Sequence, residues 1–196
     1  MNKKFLARAT RWLHIYLSMF SFVIVLFFSI TGLTLNHADY FQNKSVITDY
    51  KGKLDTQWVN STDTLKIKKL EIVEFFRNKY KVKGAVADFR IDDREISYSY
   101  KAPGYEADIF INKEDGSYTL TQTSQGLMGF INDLHKGRDT GKTWLLVIDI
   151  SAILLIIISA SGLILLFFLK KKRIAGILVL IIGGVLLYFA YHYWGQ

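Results

Sequence analysis

The sequence of 196 residues contains no cysteine. This absence excludes disulfides, thiolate metal sites, iron–sulfur clusters and the C-x-x-C-H attachment of a c-type haem. The remaining alternatives are a histidine-ligated haem, a noncovalent flavin or no cofactor at all. The sequence also lacks a phosphate-binding loop, a dinucleotide fingerprint and a serine in a G-x-S-x-G setting. The chemistry of soluble enzymes is therefore poorly supported.

Charge is absent from two long stretches and almost absent from a third. Residues 12–35 form a run of 24 uncharged residues, and residues 174–194 form a run of 21. The third run, residues 144–169, contains a single charged residue, Asp149. Each run is long enough, as a helix, to cross a hydrocarbon core of roughly 30 Å. The sequence therefore predicts an α-helical membrane protein with three transmembrane helices.

Acidic residues are missing from the two segments that flank these runs on one side. Eight cations lie there, and they account for the whole formal net charge of +8. They are Lys3, Lys4, Arg8, Arg11 and the four residues 170–173. The positive-inside rule places both segments in the cytoplasm. The surplus charge is thus a signal of topology, and we expect no nucleic-acid partner.

Six parts of the chain follow from this topology. They are a basic cytoplasmic N-terminus (1–11), transmembrane helix 1 (12–36), an extracytoplasmic domain (37–143), transmembrane helix 2 (144–169), a basic cytoplasmic loop (170–173) and transmembrane helix 3 (174–194). The first apolar run is too long for a signal peptide and lacks a convincing cleavage site, so we expect a retained anchor.

The region between the first two spans has the pattern of a small α+β domain. An amphipathic helix is predicted over residues 64–81, and a short helix over residues 125–134. Four strands are predicted between the two helices, over residues 85–91, 95–101, 106–112 and 117–123. A helix packed on an antiparallel sheet is the expected arrangement.

The sequence contains only four histidines, and each lies near the end of a predicted span. They are His14, His37, His135 and His192. The predicted topology brings the last three together at the outer side of the membrane, from three different helices. Two imidazoles from neighbouring helices are what an axially ligated b-type haem requires. The alternative is that each histidine contacts lipid headgroups or caps a helix.

His14 lies apart from the other three histidines. It precedes His37 by 23 residues, which is roughly 34 Å along one helix and too far for the two to share a cofactor. A haem at His14 would need a second copy of the protein, another subunit or a different ligand. Met19 is the only soft ligand nearby, and it lies on another face of the helix.

Small residues recur in two of the predicted spans. Residues 29–33 read S-I-T-G-L and residues 159–163 read S-A-S-G-L. They permit close helix packing, which is the favoured interpretation, or leave room for the edge of a flat cofactor. The isolated carboxylate of Asp149 also needs a partner, for which His135, Arg138 and Lys142 are the alternatives.

Three segments carry a shared pattern: R-W-L-H-I-Y-L-S-M-F from Arg11, F-S-I-T-G-L-T-L-N-H from Phe28, and D-L-H-K-G-R-D-T-G-K-T-W from Asp133. Together they resemble the PepSY-associated transmembrane (PepSY-TM) family. The resemblance implies a PepSY-type helix-and-sheet domain. It also implies haem-ligand roles for the histidines that the segments contain, which are His14, His37 and His135. His192 lies outside them, so its role rests on topology alone.

The same resemblance implies a function. Members of the family include bacterial inner-membrane reductases that carry electrons through haem b to periplasmic ferric siderophores or flavin-bearing partners. We therefore expect a transmembrane electron-transfer protein, either a reductase itself or a subunit of one, in the inner membrane. One alternative is a non-enzymatic membrane anchor whose PepSY module binds or regulates a periplasmic protein. A weaker one is metal uptake without redox chemistry.

Overall fold

The computed structural model describes residues 3–41, 45–61, 63–169 and 171–195. The chain divides into two compact units, one formed by Met1–Leu26 with Val147–Gln196 and the other by Phe27–Leu146. In chain order the elements are α1 (Lys3–Asn36), α2 (Ala38–Phe41), β1 (Val46–Lys53), α3 (Thr56–Val59), α4 (Lys69–Tyr80), β2 (Ala85–Ile91), β3 (Glu95–Ala102), β4 (Tyr105–Asn112), β5 (Ser117–Ser124), α5 (Gly126–Lys136), α6 (Lys142–Phe168) and α7 (Arg173–Trp194).

The three long helices α1, α6 and α7 are long and apolar enough to cross a membrane. The mean hydropathy of their most apolar windows is 2.2, 2.8 and 2.5 respectively. An α-helix satisfies its own backbone hydrogen bonds, which is why apolar segments of this length adopt it in lipid. These helices indicate a multi-pass membrane protein, as the sequence predicted, and a sheet-containing region lies between the first two.

In the first unit, the side chains of α1 and α6 that are buried, among the described residues, all belong to serine or threonine. They are Thr10, Ser21, Ser151 and Ser161. Ser151 donates to the carbonyl of Val147 at 2.7 Å, and Ser21 donates to the carbonyl of Ser18 at 3.1 Å. Such residues bond to their own helix and add little bulk, so neighbouring helices can approach closely.

The second unit contains a five-stranded antiparallel sheet with the strand order β1-β5-β4-β3-β2. The four predicted strands are confirmed as β2 to β5. The fifth, β1, was missed: it pairs with β5 from Val46 opposite Ser124 to Lys53 opposite Ser117. β1 is an edge strand with polar or charged residues at most positions, and such strands carry a weak apolar alternation because they are half-solvated.

Helix α4 covers one face of this sheet. Ile72 and Phe76 are fully buried, and the Phe76 ring lies 4.8 Å from that of Tyr118 across the interface. The hydroxyl of Tyr100 donates to the carbonyl of Val73 at 2.6 Å. Burial raises the pKa of the Tyr100 phenol, so this donor stays protonated. The core also contains Leu54, Val59, Ile67, Val82, Ile96, Tyr98, Ala107, Ile109, Ile111 and Leu120.

The amphipathic helix is shorter than predicted at its start. It was expected from residue 64, but α4 begins at Lys69. Asp63 organises a turn instead, because its side chain accepts from the backbone N–H of Leu65 at 3.0 Å and its carbonyl accepts from that of Lys66. An Asp-centred turn of this kind competes with helix. As a result, Leu65 points outward and is 89% exposed.

Candidate functional site

His135 lies near the end of α5 and is bonded to a threonine of α1. Its Nδ1 is 2.6 Å from the Oγ1 of Thr31, a residue that is only 3% exposed. The same hydroxyl donates to the carbonyl of Phe27, four residues earlier in α1, at 2.6 Å. Thr31 therefore joins the imidazole of His135 to the backbone of a long helix.

The bonds of Thr31 decide which nitrogen of His135 carries the proton. A hydroxyl group has one proton to donate, and that of Thr31 goes to the Phe27 carbonyl. Its oxygen is then left to accept from the imidazole, and the network assigns the ring proton to Nδ1. A neutral imidazole protonated at Nδ1 has its free electron pair on Nε2. The hydrogen-bond network thus leaves Nε2 of His135 as a ligand or base.

Glycine and an aromatic ring complete the surroundings of His135. A Cβ added to Gly32 would lie 3.4 Å from Cε1 of the imidazole and 4.0 Å from Nε2. The ring of Phe28 meets the imidazole edge-on, with centroids 5.3 Å apart. The imidazole therefore lies directly against α1, at a distance where a Cβ on residue 32 would make ordinary van der Waals contact with it.

His14 has an equivalent environment within the first unit. Its Nδ1 is 2.8 Å from the Oγ of Ser161, which is 4% exposed. Ser161 donates its own proton to the carbonyl of Ile158 at 2.7 Å, so the same reasoning protonates Nδ1 and leaves Nε2 free. A Cβ added to Gly162 would lie 3.1 Å from Cε1 of His14.

The two arrangements use the two small-residue motifs of the sequence. In each, a hydroxyl residue bonds the imidazole and the glycine after it contacts the ring: Thr31-Gly32 for His135, and Ser161-Gly162 for His14. Sequence reasoning favoured helix packing for both motifs and missed the hydroxyl residues as histidine partners. The repeated S-x-[ST]-G-L pattern was the signal that identifies them.

His37 and His192 are in a different situation. Both are exposed, and within the described part of the chain neither ring has a hydrogen-bond partner. The ring of His37 lies 6.0 Å from that of Tyr40, and the ring of His192 stacks on Tyr188 at 6.1 Å. The structure therefore separates the four histidines into two that are oriented by hydroxyl groups and two that are not.

Two of the candidate partners of Asp149 have other bonds. Arg138 forms an ion pair with Asp133 at 2.6 Å, and His135 is bonded to Thr31. Asp149 itself is exposed on α6. Among the residues that the structure describes, none forms an ion pair with it.

The donor set at each oriented histidine is a single imidazole. Over the described ranges, no group of three or more histidine, aspartate or glutamate side chains is placed to hold a metal ion. A site built from one protein imidazole does not suit an ion such as zinc, which takes three or four protein ligands. It suits haem, whose iron already has four porphyrin nitrogens and takes one imidazole on each side. The haem-ligand roles of the four histidines stay predictions.

Comparison with known proteins gives a family relationship. A family model described as PepSY_TM-like matches residues 8–194, a range that contains all four histidines and both small-residue motifs. No curated protein and no solved structure matches the chain.

Proposed function

The chain belongs to the PepSY_TM-like family, and from this premise we propose that it is a transmembrane electron-transfer protein that holds b-type haem through His14 and His135. The observation that supports the proposal most directly is the bond of each imidazole Nδ1 to a buried hydroxyl that also bonds to a carbonyl of its own helix. Histidines that bind metals almost always donate their other ring N–H to a fixed acceptor, which orients the ring. Ser161 and Thr31 are such acceptors.

The surroundings of the two histidines fit an axially bound haem. Each imidazole lies against a glycine and is held by a buried hydroxyl, so the direction of Nε2 is set before any ligand arrives. When bound, haem supplies a one-electron couple whose potential depends on its axial ligands and on the hydrogen bonds that these ligands make.

A second imidazole is needed for each haem. We propose His37 for the haem of His135, because both belong to the same unit and no described residue bonds to the ring of His37. The ligand role of His192 rests on the predicted topology alone. For the haem of His14, the second ligand would come from another copy of the chain or from another subunit.

The charge distribution supports a direction for electron flow. The segments rich in lysine and arginine favour a cytoplasmic position, so the sheet domain would face the periplasm of a bacterial inner membrane. Electrons would then pass from the cytoplasmic or quinone side to a periplasmic acceptor, such as a ferric siderophore or a flavin-bearing partner. The protein would act as a reductase or as its electron-transfer subunit.

An absorption spectrum of the purified protein tests the proposal. Protein from haem-replete cells should show a Soret band that sharpens and shifts on reduction with dithionite. His14→Ala and His135→Ala should each remove part of the band, because each removes one axial ligand. Phe22→Ala is a suitable control, because Phe22 is a large side chain of α1 that is 53% exposed. It should keep the full band.

Two results would refute the proposal. One is a colourless wild-type protein that takes up no haem when haem is added. The other is a full Soret band in the double variant His14→Ala, His135→Ala, which would show that haem binds elsewhere. Imidazole added to the single variants should restore part of the lost absorbance, because it can replace the ligand that the alanine substitution removes.

The alternative function, a membrane-anchored PepSY module that binds a protein partner, has an observation of its own. Phe110 is 48% exposed on β4, on the sheet face opposite α4. It borders two shallow cavities of about 360 and 220 Å³, whose walls combine polar side chains with apolar surface. Aromatic side chains are enriched in protein–protein interfaces, so Phe110 is the residue of this face to test. Loss of a co-purifying protein in Phe110→Ala would favour this function.

A further inference from the structure

The helix that carries His135 is clamped to the turn between β3 and β4. The backbone N–H of Gly104, in that turn, donates to Oδ2 of Asp133 at 2.7 Å. The carbonyl of Gly104 accepts from the backbone N–H of Gln125 at 2.8 Å. Gly104 has a φ of 66°, and a Cβ there would lie 2.6 Å from the backbone nitrogen of Phe130. The turn and α5 therefore touch at backbone distance.

Asp133 uses its second oxygen for another part of the chain. Oδ1 accepts from Nε of Arg138 at 2.7 Å and lies 2.6 Å from Nη2 of the same residue. Asp133 is 2% exposed, so its charge is buried and fully paired. A buried carboxylate with charge-assisted bonds on both oxygens holds its partners firmly, and removing it leaves them unpaired.

His135 follows Asp133 by two residues on α5. Two residues correspond to a turn of about 200° around an α-helix, so the two side chains point in nearly opposite directions. Asp133 faces the β3–β4 turn, and His135 faces Thr31 of α1. Asn132, beside Asp133, is also bonded to α1, through Thr34 at 3.3 Å. The rotation of α5 that suits Asp133 is thus the one that brings His135 to Thr31.

We infer that Asp133 is a positioning residue, which sets the place of the His135 ring against Thr31 by clamping α5 to the sheet domain. The iron-binding consequence rests on the proposed function, but the ring position does not. A contact that moves the β3–β4 turn, such as a partner bound to the sheet domain, would then change the environment of His135. A movement of the sheet domain and a movement of the His135 ring would thus be coupled.

Asp115 offers a matched control. It is also a turn aspartate of the sheet domain that accepts from a backbone N–H, that of Ser117 at 2.9 Å, and pairs with a cation, Lys53 at 3.5 Å. Its partners all lie in β1 and β5 or in the turn before β5, and none belongs to α5. Substitution of Asp115 therefore removes the same kinds of bond without loosening the clamp.

The first measurement uses the haem-loaded full-length protein. The His135 haem is defined as the spectral component lost in His135→Ala, and its midpoint potential is measured by redox titration. Asp133→Ala should shift this potential, because the bonds of an iron ligand tune the couple. The expected scale is a tenfold change in the reduced-to-oxidised ratio at fixed potential, which is about 59 mV. The His14 haem should be unchanged, as should both haems in Asp115→Ala. Asp133→Asn, which keeps the size and one acceptor oxygen, should give a smaller shift.

The second measurement needs no haem. In protein labelled with ¹⁵N at the histidine rings, the Nδ1–H of His135 should give a signal shifted by its bond to Thr31 in the wild type. Asp133→Ala should lose that shift, whereas Asp115→Ala should keep it. Asp133→Asn carries both measurements if the alanine variant does not fold.

The outcomes distinguish the proposed haem function from the inference that Asp133 positions His135. A wild type that binds no haem refutes the proposed function, and the ring signal of His135 then decides the inference. An unchanged His135 signal in Asp133→Ala overturns the inference. So does an unchanged potential of the His135 haem in a folded, haem-loaded variant.

Discussion

Substitution of Thr31 by valine tests the fixed tautomer most directly. Valine has the shape of threonine without the hydroxyl, and its branched Cβ suits the same place in α1. The variant loses the acceptor for Nδ1–H of His135 and the bond to the Phe27 carbonyl, and it changes little else. The expected result is weaker haem binding at His135.

The magnitude follows from the hydrogen bond that is lost. Without haem, the imidazole of the variant can turn or move its proton to Nε2, so the lost acceptor costs little. Haem on Nε2 would keep the proton on Nδ1, where it faces the buried position of residue 31, 3% exposed in the parent, without an acceptor, at a cost of about 1–3 kcal/mol to the haem-bound state. This range corresponds to roughly 5- to 150-fold in an equilibrium constant. It agrees with the about 10- to 100-fold that outer-shell partners of metal-binding histidines contribute. We expect a loss of haem affinity within that range.

The assay is a titration of haem-free protein with haem, followed by the Soret absorbance, in a His14→Ala background so that only the His135 site is observed. Thr31→Ser should bind nearly as the parent does, because it keeps the hydroxyl. Ser151→Ala is the control: the hydroxyl of Ser151, 4% exposed on α6, bonds to the Val147 carbonyl of its own helix at 2.7 Å. It should change haem affinity much less than Thr31→Val.

Haem affinity equal to that of the parent in Thr31→Val would refute the reasoning about the tautomer. Equal losses in Thr31→Val and Thr31→Ser would refute it as well, since the effect would then come from packing and not from the hydroxyl.

Two further predictions concern packing. Gly162→Ala should remove or shift the His14 haem component, because the new Cβ would lie 3.1 Å from the imidazole. Gly183→Ala should leave it unchanged, because nothing lies within 4 Å of a Cβ at that residue. Absorption spectra of both variants check this prediction. Phe76→Ala should destabilise the sheet domain by about 3–5 kcal/mol, since Phe76 is fully buried. Leu65→Ala, at an 89% exposed position, should change the free energy of unfolding by no more than about 0.5 kcal/mol. Thermal unfolding followed by circular dichroism measures both variants, and equal stability would contradict the assigned core.

Much of the fold could be predicted because its signals are local. Long uncharged runs predicted the three long helices, and apolar alternation with turn residues predicted β2 to β5. The two errors in the predicted elements also have local causes. β1 was missed because it is a polar edge strand, and α4 starts late because the turn at Asp63 competes with the first helical turn.

The candidate site could be predicted only in part. The positions of the histidines at the span ends identified all four as candidates. They did not predict that His14 and His135 are bonded to hydroxyl groups, whereas His37 and His192 have no hydrogen-bond partner among the described residues. The small-residue motifs were noticed, but their role as histidine partners was not. A sequence such as that of residues 29–33 is the same whether its glycine packs against a helix or against an imidazole, so the sequence alone could not distinguish the two.

The sequence by itself determined which segments are apolar enough to cross a membrane, where the charge lies and which side chains are available as ligands. These are properties of composition and short-range periodicity, which need no knowledge of distant residues. Only the tertiary structure decided which hydroxyl meets which imidazole, because Thr31 and His135 are 104 residues apart and His14 and Ser161 are 147 apart. Those two bonds fix the tautomers, and a tautomer depends on a partner in space that residue order alone does not identify.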